Sequence, residues 1–299
     1  MIRTAAEYRE SIRDGRQVWI NGEKVDDVPT HPMFKPLVDI RARIYEMQHD
    51  AATRDTMTYE EDGETFAVGL KLPHTQEDWY RKREATDAVM DDVGGIVTRV
   101  GDETVGEMWS LFDGQDVLNE VDPQFSQNIR DHIDRVIRID PFHVSANTDP
   151  KGDRSKAPQD QDPDMLLHVV RETDQGIVVR GAKYETAAPY ANQAFTKPTI
   201  ANWGDSELSD YAVGFICDLG SPGIKMICRT GLPGVHQLRI IRSPTSSMKS
   251  MRWWYSIMSW YRGKTCCSTV TPKPPPSFGQ PCTVTAPLHL YSAICGWQI

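Results

Sequence analysis

Apolar residues recur every three or four positions through the first 140 residues, which is the spacing of one face of an α-helix. These series predict four helices, one beginning at about Leu37 and the others over residues 75–93, 105–112 and 125–137. The second helix begins at Thr75-Gln-Glu-Asp78, which resembles a capping box with Asp in place of the usual Glu or Gln. Upstream, Val18-Trp-Ile20 followed by Asn21-Gly22 predicts a strand that enters a tight hairpin turn. We therefore expect a mostly helical N-terminal domain over residues 1–140.

Strand patterns replace the helical spacing after Pro150. The apolar run at 165–170 and the segment at 176–183 flank a turn and predict a β-hairpin. Residues 211–217 and 223–228 predict a second pair of strands with a turn between them. A helical part followed by a small antiparallel β part predicts an α+β fold, with a β-domain over residues 141–235.

Composition narrows the class of protein. The chain has 299 residues, a net charge of −9, 39% hydrophobic residues and 25% charged residues, as expected of a soluble globular protein. It contains no apolar run near ~18 residues, so we expect no membrane span. Acidic residues near the start argue against a signal peptide, and we expect a cytoplasmic location. An acidic chain without a basic block is not expected to bind nucleic acid.

The polar stretch Asn147-Thr-Asp-Pro-Lys-Gly-Asp-Arg154 carries the most chemistry in the sequence. Taken alone, it is compatible with a solvated loop, since Asp-Pro and Lys-Gly are ordinary turn pairs. It is also compatible with a ligand-binding loop. In that case Gly152 lets the backbone approach a cofactor, while Lys151, Arg154 and the loop N–H groups face phosphate or a flavin edge.

This loop, together with Asp162-Pro-Asp164 and Gly176-Ile-Val-Val-Arg-Gly-Ala-Lys183, closely resembles the 4-hydroxybutyryl-CoA dehydratases. The opening, with Thr4-Ala-Ala-Glu-Tyr8 and Asn21-Gly-Glu-Lys24, is similar to the same dehydratases. It is also shared with the related 4-hydroxyphenylacetate 3-monooxygenases and chlorophenol monooxygenases. The similarity covers about residues 3–229, in order and with few gaps.

The resemblance implies an acyl-CoA-dehydrogenase-like fold with a helical N-terminal domain, a central β-domain and a C-terminal helical domain. It also implies FAD bound between domains and subunits, a homotetramer and no metal in the monooxygenase branch. The flavin-binding residues that it implies are Asn147, Thr148, Asp149, Pro150, Lys151, Gly152, Asp153, Arg154 and Thr186.

The dehydratase branch carries a [4Fe–4S] cluster on three cysteines and one histidine, and two of those cysteines form a Cys-x3-Cys motif. Alignment on Val100-Gly101 puts Gly95 and Arg99 at these two positions, and no cysteine precedes Cys217. Cluster chemistry needs thiolates at fixed places. The missing cysteines therefore argue against the dehydratase branch.

Two residues are candidates for catalysis in the monooxygenase branch. Arg99 matches the arginine that these enzymes carry near substrate and flavin, although it is also compatible with a surface arginine at a helix end. Their histidine before the flavin loop aligns with Ser145, and His143 lies two positions earlier. His143 is a candidate base or flavin-orienting residue, or a structural histidine. The tyrosine that some members carry four residues after the arginine is Glu103 here.

The end of the chain differs in composition from the rest. All 42 acidic residues lie at or before Asp218, so residues 1–218 have a net charge of −18 and residues 219–299 a net charge of +9. Four of the six cysteines, Cys266, Cys267, Cys282 and Cys295, and four of the eight tryptophans lie after residue 250. One explanation is a basic, proline-rich interaction tail.

Codon degeneracy supports a different explanation. Read from the third base of each codon, Trp260-Tyr-Arg-Gly-Lys-Thr-Cys-Cys267 permits Val-Pro-Trp-Glu-Asn-Val-Leu, the family's continuation. The same offset lets Arg239-Ile-Ile-Arg-Ser243 encode Asp-His-Pro-Leu, and Met251-Arg-Trp-Trp-Tyr255 also fits. We therefore predict a frameshift between about codons 229 and 239. Residues 236–299 would then be a disordered, out-of-frame tail, and the C-terminal helical domain would be missing.

The sequence thus predicts a two-component, FAD-dependent monooxygenase that hydroxylates a phenolic substrate at the ortho position. Its expected partners are a small aromatic substrate, O2 and a separate reductase that supplies reduced flavin. Two alternatives stay open at this point: a CoA-ester lyase/isomerase of the dehydratase type, and a truncated fragment without activity.

Overall fold

Helices dominate the first 139 residues of the chain, and strands dominate the described residues after them. The computed structural model describes residues 2–95, 100, 103–153, 155–174, 176–198, 206–228, 259–266 and 283–285. The helices of this part are α1 (Ala5–Ser11), α2 (Lys35–Met47), α3 (Arg54–Met57), α4 (Gln76–Asp92), α5 (Glu103–Asp113), α6 (Gln115–Val121) and α7 (Pro123–Ile139). The strands are β1 (Gln17–Ile20), β2 (Glu23–Lys24), β3 (Thr58–Glu61), β4 (Glu64–Ala67), β5 (His143–Ser145), β6 (His168–Thr173), β7 (Gly176–Glu185), β8 (Gln193–Thr196), β9 (Gly214–Asp218), β10 (Lys225–Cys228), β11 (Ser259–Cys266) and β12 (Thr283–Thr285).

The four predicted helices are confirmed as α2, α4, α5 and α7. The α4 helix begins at a complete capping box, in which the Thr75 hydroxyl accepts from the backbone N–H of Asp78 and the Asp78 carboxylate accepts from that of Thr75. The α7 helix begins with Asp122 as N-cap and Pro123 in the first turn. It ends at Asp140, whose φ of 44° lies in the left-handed region.

Two sheets hold most of the strands. One has six strands in the order β2-β1-β10-β11-β7-β6, and the other has four in the order β12-β9-β8-β5. The predicted hairpin of β6 and β7 is confirmed as an antiparallel pair. The predicted turn after β1 is confirmed as well, since Asn21 and Gly22 both have positive φ and connect β1 to β2.

Two expectations about the sheets were wrong. The β-domain is not purely antiparallel, because β1 pairs with β10 and β5 with β8 in parallel. The predicted pair of β9 and β10 does not form, because the intervening turn carries the chain from the four-stranded to the six-stranded sheet. The spacing of apolar residues within a strand indicates which of its faces is buried, but that spacing does not indicate which strand pairs with it.

The six-stranded sheet also contains residues from both sides of the predicted domain boundary at residue 140. Strand β1, from the N-terminal part, lies beside β10. One apolar core combines Tyr8 of α1 and Tyr45 of α2 with Val179 of β7 and Phe215 of β9. The division into domains stays a prediction. These contacts show that residues before and after position 140 share one sheet and one apolar core.

Two strands lie in the segment 236–299, for which we expected disorder. Strand β11 pairs with β10 and with β7, the latter over eight residues from Ser259↔Glu185 to Cys266↔Val178. Strand β12 pairs with β9. The rest of the segment lies outside the described residues, and the disordered, out-of-frame tail stays a prediction. No helix in the described part of the chain is long and apolar enough to cross a membrane.

Candidate functional site

The polar loop that begins at Asn147 is attached to strand β7 at two points, one near its start and one just before strand β6. On one side, the Tyr184 N–H donates to the Thr148 carbonyl at 2.8 Å, and the two residues form an isolated bridge. On the other side, Leu166 forms a bridge with Ala182, whose N–H donates to the Met165 carbonyl at 3.1 Å. The two attachments lie two residues apart on one strand, so the loop between them closes into a hairpin-like unit.

A buried ion pair joins the start of this loop to β7. The Lys183 side chain is 3% exposed and the Asp149 side chain 9% exposed, and the Lys183 ammonium donates to Asp149 Oδ1. It also donates to the Asn147 carbonyl at 3.3 Å and to the Lys197 carbonyl at 2.8 Å. Each of the three ammonium N–H groups therefore has an acceptor, as a buried lysine requires.

Gly152 packs closely against the return segment of the loop. Gly152 has a φ of +46°, and a Cβ added there would lie 2.2 Å from Gln161 Oε1 and 2.4 Å from Met165 Cε. The space that a side chain would fill is thus taken by Gln161 and Met165 of the same loop, and the role of Gly152 at a cofactor stays a prediction. Gln161 Oε1 also accepts from the Asp153 N–H at 2.8 Å, which ties the tip of the loop to its return segment.

The predicted flavin-binding residues divide into buried and exposed groups. Asn147 and Pro150 are buried, and Asn147 Oδ1 has no hydrogen-bond partner among the residues that the structure describes. Thr148, Lys151 and Asp153 are exposed. The position of Arg154 lies outside the described residues.

Thr186, the last predicted flavin-binding residue, follows the end of β7 and is half-buried. Its hydroxyl donates to Glu185 Oε1 at 3.2 Å, and the same oxygen accepts from the Ala187 N–H at 3.1 Å. Strand β7 therefore supplies both the attachments of the loop and the turn that carries Thr186.

His143 lies on β5, the strand that leads into the loop, and is 5% exposed. Its ring packs edge-on against that of His132 of α7, with the ring centroids 5.9 Å apart. Within the described residues, neither His143 ring nitrogen makes a hydrogen bond of good geometry. Burial lowers the pKa of His143 to about 4, and the nearby Gln193 side chain and Pro141 backbone oppose part of this decrease. The imidazole is therefore neutral at pH 7.

A small cavity of about 30 Å³ lies beside His143. Val100 also lines it, but Arg99, the other predicted catalytic residue, lies outside the described residues. A space of this size is suited to a water molecule and is too small for a phenolic ring. The catalytic roles of Arg99 and His143 stay predictions.

Arg41, Gln48 and Asp140 also line the cavity and belong to a buried polar cluster that the sequence analysis missed. The Arg41 guanidinium lies between the Tyr45 and Phe142 rings, 4.8 and 4.3 Å from their centroids. Gln48 Nε2 donates to Asp140 Oδ2 at 2.8 Å, and burial raises the pKa of the Asp140 carboxyl. These residues lie on the apolar face of α2 and at the end of α7, where helical spacing predicts core and gives no signal of charge.

Two cysteines, Cys217 of β9 and Cys228 of β10, are buried in the β-sheets. Burial raises the pKa of the Cys228 thiol to about 12. Within the described ranges, no three His, Cys, Asp or Glu side chains are grouped so that they could hold a metal ion.

Known proteins share this arrangement. A family model described as "4-hydroxyphenylacetate 3-hydroxylase N terminal" matches residues 4–251. The chain is 33% identical over 236 residues to the oxygenase component of 4-hydroxyphenylacetate 3-monooxygenase from Thermus thermophilus, covering 78% of this chain and 48% of that protein. It is 30% identical over 233 residues to 4-hydroxybutyryl-CoA dehydratase/vinylacetyl-CoA-Delta-isomerase from Clostridium aminobutyricum, covering 76% of this chain and 47% of that one. The chain thus spans about half the length of these relatives.

Solved structures agree with the sequence comparison. The oxygenase component of 4-hydroxyphenylacetate 3-monooxygenase complexed with FAD and 4-hydroxyphenylacetate matches with a TM-score of 0.76 and 27% identity, over 98% of this chain and 58% of that chain. An archaeal 4-hydroxybutyryl-CoA dehydratase from N. maritimus, at 19% identity, shares the fold with a TM-score of 0.76 over 98% of this chain and 56% of that one. The expected α+β, acyl-CoA-dehydrogenase-like fold is confirmed. The family model covers well over half of the chain, and the chain therefore belongs to the 4-hydroxyphenylacetate 3-hydroxylase N-terminal family.

Proposed function

We propose that this chain forms the flavin-facing part of the oxygenase component of a two-component aromatic monooxygenase. The observation that carries the proposal is the loop from Asn147 to Arg154, which matches the family's flavin motif in sequence and lies in a segment that is attached to β7 at Thr148 and at Leu166. Relatives of the same family include 4-hydroxyphenylacetate and 4-nitrophenol monooxygenase oxygenase components, and one such component is known in complex with FAD.

The residues of the loop are suited to FAD. Asn147 Oδ1 is a buried acceptor without a partner in the described part of the chain, so it is able to take a hydrogen bond from a ligand. Lys151, four residues further along the loop, is exposed and carries the charge that a pyrophosphate needs. We infer that Asn147–Asp153 and Arg154 bind the cofactor and that the Thr186 hydroxyl contacts the flavin. When bound and reduced, FAD supplies the activation of oxygen.

The remaining parts of the proposal concern the whole protein. A separate reductase would supply reduced flavin, and a phenolic substrate would be hydroxylated at the ortho position. We place Arg99 and His143 at the substrate, with His143 neutral and able to accept a proton. We further propose a homotetramer in the cytoplasm.

Flavin affinity tests the site. In Arg154→Ala, we expect the FAD dissociation constant to rise about tenfold or more, because a lost charge-assisted contact costs ~1.5–3 kcal/mol. In Gly152→Asp, we also expect a higher dissociation constant, because the new side chain would clash with Gln161 and Met165 and its negative charge would repel a phosphate. Gly63→Asp is the matched control, since Gly63 also has a positive φ and lies in the β3–β4 turn with open space around it. Fluorescence titration of FAD measures the constants. Unchanged affinity in both loop variants would remove residues 147–154 from the site.

The reading frame decides which protein should be assayed for turnover. We propose a frameshift between about codons 229 and 239, which sequencing of the DNA tests directly. A frame-restored protein, given reduced flavin, O2 and a panel of phenols, should consume oxygen in step with catechol formation.

The dehydratase relative motivates the competing function, a CoA-ester lyase/isomerase. That function requires a cluster, whereas Gly95 and Arg99 stand at two of its cysteine positions. The frame-restored protein purified without oxygen should contain flavin and no acid-labile sulfide. Stoichiometric iron and sulfide, or dehydration of a 4-hydroxyacyl-CoA, would instead establish the dehydratase.

A further inference from the structure

Strand β7 carries a charged side chain that no part of the proposed flavin chemistry uses. Lys183 lies in the middle of the strand's contact with the loop, one residue before Tyr184 and one after Ala182, the two attachment points of the loop. A lysine inside a protein costs free energy unless its charge and its N–H groups are satisfied. Its presence at this position therefore calls for a physical reason.

The contacts of Lys183 supply that reason. Its ammonium connects three segments that are distant in sequence: the loop start, through the Asn147 carbonyl and the Asp149 carboxylate; β7 itself; and the end of β8, through the Lys197 carbonyl. Burial lowers the pKa of the Lys183 ammonium, and the Asp149 charge opposes that decrease. With its side chain only 3% exposed, the lysine has almost no surface with which to bind solvent or a large ligand.

We propose that Lys183 is a positioning residue, which holds the Asn147 carbonyl and the Asp149 carboxylate, and with them the start of the loop, in the conformation that binds the flavin. This inference rests on the proposed function for its ligand and on the described contacts for its geometry. The ammonium fixes the first three residues of the loop, while Gln161 and Met165 fix its tip at Gly152. Loop residues beyond Pro150 then reach the cofactor from a rigid base.

Lys183→Met tests the proposal because it keeps the aliphatic stem and removes the charge and the three donors. Without them, the loop start keeps the Thr148–Tyr184 bridge but loses its three connections through Lys183, and we expect it to open more often. Trypsin cuts after lysine and arginine, and Lys151 and Lys156 lie in the loop. We expect cleavage at these two sites to be about tenfold faster or more in the FAD-free variant, measured by mass spectrometry.

Flavin affinity is the second measurement. In Lys183→Met, we expect the FAD dissociation constant of the folded protein to rise about tenfold or more, because the loop must be ordered on binding. A merely structural lysine would lower the unfolding temperature and leave this constant unchanged. Lys197→Met is the matched control: it removes another lysine ion pair, to Glu107, and leaves the Lys197 carbonyl in place for Lys183. It should retain wild-type cleavage and wild-type affinity.

The outcomes separate this inference from the proposed function. Wild-type cleavage rates in Lys183→Met, or faster cleavage with unchanged FAD affinity, would overturn the positioning role and leave the proposed function standing. A wild-type chain that binds no FAD would overturn the proposed function, while the cleavage rates still decide whether Lys183 holds the loop. Should Lys183→Met fail to fold, Asp149→Asn removes the ion pair from the other side, with both changes expected in the same direction.

Discussion

The buried His143–His132 pair predicts how the stability of the protein depends on pH. In the folded chain, burial lowers the pKa of His143 to about 4, against an ordinary value of 6.5. Between these two values the unfolded chain binds a proton that the folded chain does not. The free energy of unfolding is therefore insensitive to His143 above pH 6.5, falls as the pH drops from 6.5 to 4, and levels off below that.

The magnitude depends on the size of the shift. A difference of one pKa unit corresponds to ~1.4 kcal/mol, so His143 should cost about 3 kcal/mol of stability between pH 7 and pH 4. His132 adds a loss of the same sign, since burial lowers its pKa as well. Asp140 and Asp218 act in the opposite direction at the acid end, because burial raises the pKa of both carboxyls.

A variant isolates the contribution of His143 from those of the carboxyls. His143→Phe keeps a ring of similar size beside His132 and removes the titration. Urea unfolding followed by tryptophan fluorescence, repeated from pH 4 to pH 8, gives the free energy of unfolding for both proteins. We expect the variant to lose about 3 kcal/mol less than the wild type between pH 7 and pH 4. His74→Phe, which removes an exposed imidazole, should follow the wild-type curve. Parallel curves for His143→Phe and the wild type would show that His143 is not held neutral in the folded protein.

Two further predictions concern local structure. Gly181→Ala should destabilise the fold by about 3 kcal/mol or more, because φ is +131° and a Cβ would lie 2.3 Å from the Leu166 carbonyl oxygen. Gly22→Ala, where φ is also positive but the space is open, should cost only about 1–2 kcal/mol in the same urea assay, and equal losses would contradict the clash. Thr75→Ala should remove the α4 capping box and cost about 1 kcal/mol by thermal unfolding; no change would mean that Asp78 alone caps the helix.

Local signals predicted the local structure well. Helical spacing identified α2, α4, α5 and α7, and Asn21-Gly22 identified the β1–β2 turn, because these features depend on residues a few positions apart. The loop from Asn147 to Arg154 was also visible in the sequence as a string of turn formers and charges. Its interpretation as a flavin-binding loop came from the resemblance to a family, since turn chemistry alone is equally compatible with a solvated loop.

The amino-acid pattern was thus enough to locate the helices, the turns and the polar loop, and to identify the family. Which distant residues meet depends on the packing of the folded chain. Lys183 reaches Asp149 from 34 positions away, and β1 finds a parallel partner in β10 more than 200 residues later. Hydrophobic periodicity records that a side chain is buried, but burial is the same signal whether the neighbour is a leucine or a carboxylate. Only the packing of β7 against the loop brings the Lys183 ammonium to Asn147 and Asp149 in the candidate flavin site.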